Sequence, residues 1–137
     1  MPLKSLSYPQ VALDFMNRDH AEFLALRDQL LDLLAAQTTG GKLDDLLDEL
    51  LEHTRKHFAE EEKQMRETGF PPYPVHKGEH ERVLAEMSAR IERWRHGRDT
   101  AALRDWIDQA VGDWFVNHVG TMDAISAEFI AMRQRGR

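Results

Sequence analysis

The stretch His57-Phe58-Ala59-Glu60-Glu61-Glu62-Lys63-Gln64-Met65-Arg66-Glu67-Thr68-Gly69-Phe70-Pro71-Pro72-Tyr73-Pro74-Val75-His76-Lys77-Gly78-Glu79-His80 sets two helical patterns on either side of one hard stop. Gly69 suits the position just past a helix, and the prolines after it prevent continuation. Before the stop, His57 and Glu61 stand four residues apart, on one face within one turn. After it, His76 and His80 repeat that spacing.

Working outward, Thr39-Gly40-Gly41 and His96-Gly97-Arg98-Asp99 are the other breaks. They delimit segments of roughly 14–38, 43–68, 75–96 and 100–133, each too long for a strand and apolar at helical spacing. In the first, Leu13, Met16, His20, Phe23, Leu24, Leu31 and Leu34 make the stripe. In the fourth it is Ile107, Val111, Trp114, His118, Met122, Ile125, Phe129 and Met132. Asp99 or Thr100 caps the fourth segment, and Arg133, Arg135 and Arg137 suit its negative end. Short connections between long helices make neighbours antiparallel. The expectation is an all-α, up-down-up-down four-helix bundle, with residues 1–137 as one domain and residues 1–13 as a non-helical lead-in.

Composition narrows the chemistry. With 18 Lys+Arg against 24 Asp+Glu, the chain carries a formal charge of −6 and shows no basic stripe for nucleic acid. It has no cysteine, which excludes disulfides, iron–sulfur clusters, thiolate zinc sites and thiol nucleophiles. No apolar run reaches the ~18 residues that span a bilayer. The start, Met1-Pro2-Leu3-Lys4-Ser5-Leu6-Ser7-Tyr8, lacks the apolar stretch of a secretory signal, so a cytoplasmic location is expected.

Titratable residues interrupt the apolar stripes. His20 sits between Met16 and Leu24, His118 between Trp114 and Met122, and the middle segments carry His57, Glu61, His76 and His80. A single buried histidine usually finds a carbonyl or a carboxylate. Five on the inward faces of four helices would be costly to satisfy one by one, and a shared metal site satisfies them together. His96 lies in a last helical turn, where its partial charge suits the terminus. His53, one turn before His57, reads as a boundary residue or one that touches the site. Glu60 and Glu62 lie 100° to either side of Glu61 and are expected to face solvent.

These residues resemble the hemerythrins, the bacterial ones in particular. The resemblance rests on His57-xxx-Glu61, Gly69-Phe70-Pro71, His76-xxx-His80 and Trp114-xxx-His118-xxxx-Asp123, with His20 as the single first-helix histidine, and covers about residues 13–130. It implies two iron ions: His76, His80 and His118 on one, His20 and His57 on the other, Glu61 and Asp123 bridging both. Two departures stand out. The lead-in lacks the tryptophan usual in bacterial members, and Ser126 and Ala127 stand where a tyrosine is usual.

With six-coordinate irons and a bridging oxo or hydroxo oxygen, that ligand set leaves one position open, on the iron held by His20 and His57. Nitrogen and oxygen donors without thiolate suit ferrous iron. The implied partner is dioxygen, bound reversibly for storage, delivery or buffering. A peroxidase, a nitric-oxide or oxidative-stress enzyme, or a redox sensor would use the same position; a metal-free interaction bundle is the remaining alternative. Three residues before the histidines stand Asn17, Leu50, Thr54, Tyr73, Lys77, Arg93 and Phe115, none a glutamate, which excludes the Glu-x-x-His bundles of ferritin-like oxidases. The expected pocket wall is Phe23, Leu24, Phe58, Met65, Trp114 and Phe115.

His118 and Asp123 pose a geometric problem. Residues five apart on a regular helix diverge by about 140°. Their convergence requires a widened turn such as a π-bulge, and Gly120 inside the interval fits a perturbed helix.

Overall fold

The structure, a computed structural model, describes residues 6–136; the first five residues of the lead-in and Arg137 lie outside the described residues. Helix α1 spans Asp14–Ala35, α2 Gly41–Thr68 and α3 Tyr73–Gly97. A fourth helix occupies residues 100–135 as three α-helical pieces, Thr100–Asp105, Val111–His118 and Ala124–Arg135. They are joined by π turns at Trp106–Ala110 and Val119–Asp123. There is no strand among the described residues, and the all-α four-helix bundle is the expected one. No helix among them is long and apolar enough to cross a membrane.

Each helix stops for a local reason. At the end of α2, Gly69 takes the left-handed conformation (φ 71°). Its N–H reaches the Arg66 carbonyl at 3.2 Å, and the Phe70 N–H reaches Met65 at 3.0 Å. The Phe70 ring then packs in one cluster with Met65, completing the closure the Gly-Phe-Pro sequence announces. Helix α1 closes in the same way without a glycine, three residues earlier than expected. Gln37 adopts φ 58° while the Thr38 N–H bonds the Leu33 carbonyl at 2.8 Å. At the start of the fourth helix, Asp99 is the cap, its carboxylate accepting from the Ala102 N–H at 3.1 Å.

The core divides into two apolar blocks. The larger includes Phe23, Leu30, Leu47, Phe58, Val83, Trp94, Trp106 and Phe115. The smaller is Leu13, Met16, Met65, Phe70, Ala127, Ile130 and Ala131. Along α1, α2 and the fourth helix, the polar residues singled out above fall between the two. His20 follows Met16 and precedes Phe23, Glu61 lies between Phe58 and Met65, and Asp123 lies between Val119 and Ala127. The candidate site is thus a polar layer near one end of the bundle, sealed on both sides by packed side chains.

Beyond His118 the expected stripe of the fourth helix keeps Phe129, which packs on Phe70 with centroids 5.2 Å apart, and fails at Ile125 and Met132. Both are exposed, at 63% and 57%, while Asp123, Ser126, Ala127 and Ile130 are buried. The π turn at Val119–Asp123 adds one residue to a turn, and every later side chain is displaced accordingly around the axis. This is the widening that the His118–Asp123 spacing required. The earlier π turn, Trp106–Ala110, has no counterpart in the expectation. It faces α1, where the buried Arg27 donates from Nε to the Ile107 carbonyl (3.1 Å) and from Nη2 to the Asp108 carbonyl (2.9 Å). Gly112 lets that guanidinium in, since a Cβ there would stand 3.2 Å from Nη2.

Candidate metal centre

The seven expected site residues, His20, His57, Glu61, His76, His80, His118 and Asp123, are all buried and meet in the polar layer. Asp123 sits between two groups of imidazoles. Its Oδ2 lies 3.0 Å from His20 Nε2; its Oδ1 lies 3.0 Å from His118 Nε2 and 3.2 Å from His76 Nε2. Glu61, fully buried, spans the same divide. Oε1 is 3.8 Å from His57 Nε2 and 3.4 Å from His80 Nε2, and Oε2 is 3.4 Å from His76 Nε2. Donor atoms of His76, His80, His118 and Asp123 lie within 4.8 Å of one another, and so do those of His20, His57 and Asp123.

These distances are short, yet His57 Nε2, His80 Nε2, Glu61 Oε1 and Asp123 Oδ1 are buried with no aligned hydrogen bond. Two ring nitrogens, His76 Nε2 and His118 Nε2, face each other at 3.3 Å. Leaving so many sealed polar atoms unpaired would cost several kcal/mol in aggregate. Atoms that crowd together without pointing at one another share an unbonded focus, which is the arrangement a cation satisfies. The nitrogen and oxygen donors fit iron.

Outer partners fix the rings. Asp19 Oδ2 accepts from His57 Nδ1 at 2.9 Å, and Glu62 Oε2 from His80 Nδ1 at 2.9 Å, so each Nε2 is left as the inward atom. Glu62 therefore does not face solvent as expected; the 100° offset from Glu61 turns it toward α3 rather than outward. Glu60 bonds Gln64 in an exposed pair, in keeping with its expectation. Ser126 donates to Glu61 Oε2 at 2.8 Å from within the core. Two rings are held by stacking: Phe58 lies on His80 with centroids 3.7 Å apart, and Trp114 on His118 at 4.7 Å.

Charge follows burial and pairing. Burial works to raise the Asp123 carboxyl, but the imidazoles of His118, His20 and His76 close against it outweigh burial and hold the group well below the usual carboxylate range. Burial works to lower His57, and the Asp19 hydrogen bond with the Glu61 and Asp123 charges carries it above the ordinary imidazole value instead. His76 is raised against burial through Asp123 and Glu61.

A cavity of about 20 Å³, enough for one water-sized guest, opens beside this layer. Phe23, Phe58, Trp114 and Phe115 line it as expected. Leu24 and Met65 do not: Leu24 packs in the larger core block and Met65 in the smaller. Asp19, His53, Thr54 and Val119 line it instead, and His53 also bonds Glu22 at 3.1 Å. From the lead-in, the Tyr8 ring meets His20 and Phe115 edge-on, with centroids at 6.4 and 5.2 Å. Asp19, Glu62, Ser126 and Tyr8 escape a reading by spacing because each reaches the site from a neighbouring helix or the lead-in. His96, assigned to a helix end, is exposed there and pairs with Glu92 at 3.1 Å.

A four-helix bundle whose core holds histidines and carboxylates from every helix defines a metal-binding bundle. Residues 11–129 match the family model described as the hemerythrin HHE cation binding domain, and the chain belongs to that family. Among its relatives is the bacteriohemerythrin of Aquifex aeolicus (strain VF5), 32% identical over 83% of this chain and 86% of the relative. That of Ralstonia nicotianae is also 32% identical, over 84% and 79%. The myohemerythrin of Sipunculus nudus is 38% identical over 56% of this chain and 57% of its own. No solved structure matches the chain. Membership supports iron as the cation.

Proposed function

We propose that the chain holds two irons and binds dioxygen reversibly. His76, His80 and His118 hold one iron, His20 and His57 the other, and Glu61 and Asp123 bridge them. The observation that carries this reading is Asp123, whose two oxygens face different groups of imidazoles, Oδ2 toward His20 and Oδ1 toward His76 and His118. A carboxylate divided in that way is the bridge a two-metal site needs. Myohemerythrin and bacteriohemerythrin relatives support the same reading.

Two ferrous ions held by these residues would supply the two electrons that reversible dioxygen binding requires. The chain's part is to hold, orient and dry. Asp19 and Glu62 lock His57 and His80 by Nδ1, so each ring presents one nitrogen. Phe23, Phe58, Trp114 and Phe115 wall the cavity beside His20 and His57, excluding bulk water from the guest. The cavity, about 20 Å³, suits a guest of about the size of one water molecule.

Iron analysis and absorption spectra of the full chain under alternating oxygen and argon test the proposal. Two irons per chain and a charge-transfer band that appears and disappears over repeated cycles are expected. Loss of the band in one irreversible step, with turnover of peroxide or nitric oxide, would make the chain an enzyme instead. One iron per chain or none would overturn the assignment.

A further inference from the structure

Asp19 and Glu62 hold His57 and His80 by hydrogen bonds to the ring edge. His118 is held by its face. Trp114 stands one turn before it on the same helix, and the two rings stack with centroids 4.7 Å apart and planes 20° from parallel. The indole is anchored in turn across the helix interface, where its Nε1–H donates to Glu79 Oε2 on α3 at 2.9 Å. Arg82, three residues further along α3, grips both oxygens of Glu79, from Nε to Oε1 at 2.8 Å and from Nη2 to Oε2 at 2.9 Å. Arg82 and the indole hold the Glu79 carboxyl down to about 2, so it is ionised at neutral pH. A fixed negative charge at the rim of the bundle, with its side chain 25% exposed, is thus joined to a buried imidazole through one aromatic ring.

The chemistry of the stack gives this chain of contacts a direction. The face of an indole is negative, and an imidazole bound to a cation carries positive charge, so the two attract. A carboxylate that accepts from the indole N–H polarises the ring and strengthens that attraction. We propose that Glu79 is a positioning residue of the metal centre that acts through Trp114: it fixes the indole plane over His118 and enriches that plane in electrons, favouring the ferric state of the iron that His118 holds. This rests on the reading of His118 as an iron ligand. Glu79 itself touches none of the ligands by hydrogen bond, and its oxygens are taken by Arg82 and Trp114.

Two measurements on the full chain separate this inference from that reading. Glu79→Gln keeps an acceptor for the indole and removes the charge; Glu79→Ala removes both. In metal-free protein, the indole ring current is expected to move the His118 ring protons upfield of those of exposed His96 in ¹H–¹³C spectra. Glu79→Gln is expected to keep that displacement and Glu79→Ala to lose at least half of it. Full displacement in Glu79→Ala overturns the positioning role whether or not iron binds. In iron-loaded protein, Glu79→Gln is expected to move the ferric-to-ferrous ratio at a fixed potential about fivefold toward ferrous, about 40 mV for one electron. In a Trp114→Phe background, which keeps a ring but no N–H, the same substitution is expected to lose at least half of that effect. An equal effect in both backgrounds means that the charge acts through space and overturns the proposal, as does no effect in either. Failure of the wild type to load iron overturns the iron reading and the electronic half of the proposal with it, while the ring-current measurement still decides whether Glu79 positions Trp114.

Discussion

Nε2 of His118 lies 3.0 Å from Oδ1 of Asp123, although the two stand five positions apart on one continuous helix. The π turn Val119–Asp123 makes this approach by returning the fifth residue to the face of the first. The carboxylate then stands where it also meets His20 and His76. Exchanging Met122 and Asp123 (Met122→Asp with Asp123→Met) moves the carboxylate by about a quarter turn and leaves composition unchanged. The expected result is loss of at least half the bound iron with helicity retained, read by iron analysis and circular dichroism. Full iron content in the exchanged protein would show that Asp123 is not a ligand.

Ser126 sits one turn past Asp123 and donates to Glu61 Oε2 at 2.8 Å. Ser126→Ala fits the same buried space and removes only the hydroxyl. The metal-free protein is expected to lose about 1.5 kcal/mol, the scale of a hydrogen bond to a charged acceptor, measured by urea unfolding. In the loaded protein Glu61 becomes a stronger donor, so the reduction potential is expected to fall in a potentiometric titration.

The residues that were legible before the structure share one property: they lie on helices whose own spacing betrays them. His57 with Glu61 and His76 with His80 are each one turn apart, and Gly69 with its prolines closes α2 where expected. Spacing also required a widened turn between His118 and Asp123. It does not carry the consequence onward: Ile125 and Met132 fall by period on the inward stripe, and the same turn rotates them into solvent. The outer partners were illegible for another reason. Asp19 and Glu62 find His57 and His80 across a helix–helix interface, and no intrahelical period encodes which neighbour a side chain meets. Glu62 stands next to a candidate ligand in sequence, and its period alone points it to solvent, because only the position of α3 decides where it turns.

Asp44 offers a test of pH dependence away from the candidate metal centre. Hydrogen bonds from Arg98 oppose the effect of burial on its carboxyl, and with Trp94 they hold the group below the ordinary value of 3.8. A depressed carboxylate contributes stability that is present above the unfolded value and lost as pH falls through the folded one. The stability gap between wild type and Asp44→Ala is therefore expected to be constant above about pH 5 and to narrow below pH 3.8. It does not close completely, because a protonated carboxyl still accepts from the buried Trp94 N–H at 2.8 Å. Urea melts of both proteins across this range check it; a gap that widens toward acid would contradict the sign.

Arg27 is 1% exposed and takes the carbonyls of Ile107 and Asp108 together, where the first π turn faces α1. Buried ions are often replaceable by apolar side chains of similar volume, but that rule applies when both partners are replaced. Here two of the partners are backbone carbonyls and two are the Asp108 and Asp28 carboxylates, at 3.1 and 3.4 Å, and all stay behind. Arg27→Met is expected to cost about 3 kcal/mol, the penalty for two carbonyls left unpaired in an apolar core. Arg27→Lys is expected to recover less than half, because one ammonium lacks the planar fork that serves both oxygens at once. The reading is the urea midpoint at unchanged m-value, with helicity by circular dichroism confirming that the fold persists. A methionine variant as stable as the wild type would mean that the first π turn satisfies its own carbonyls, and that Arg27 fills space there without holding the turn.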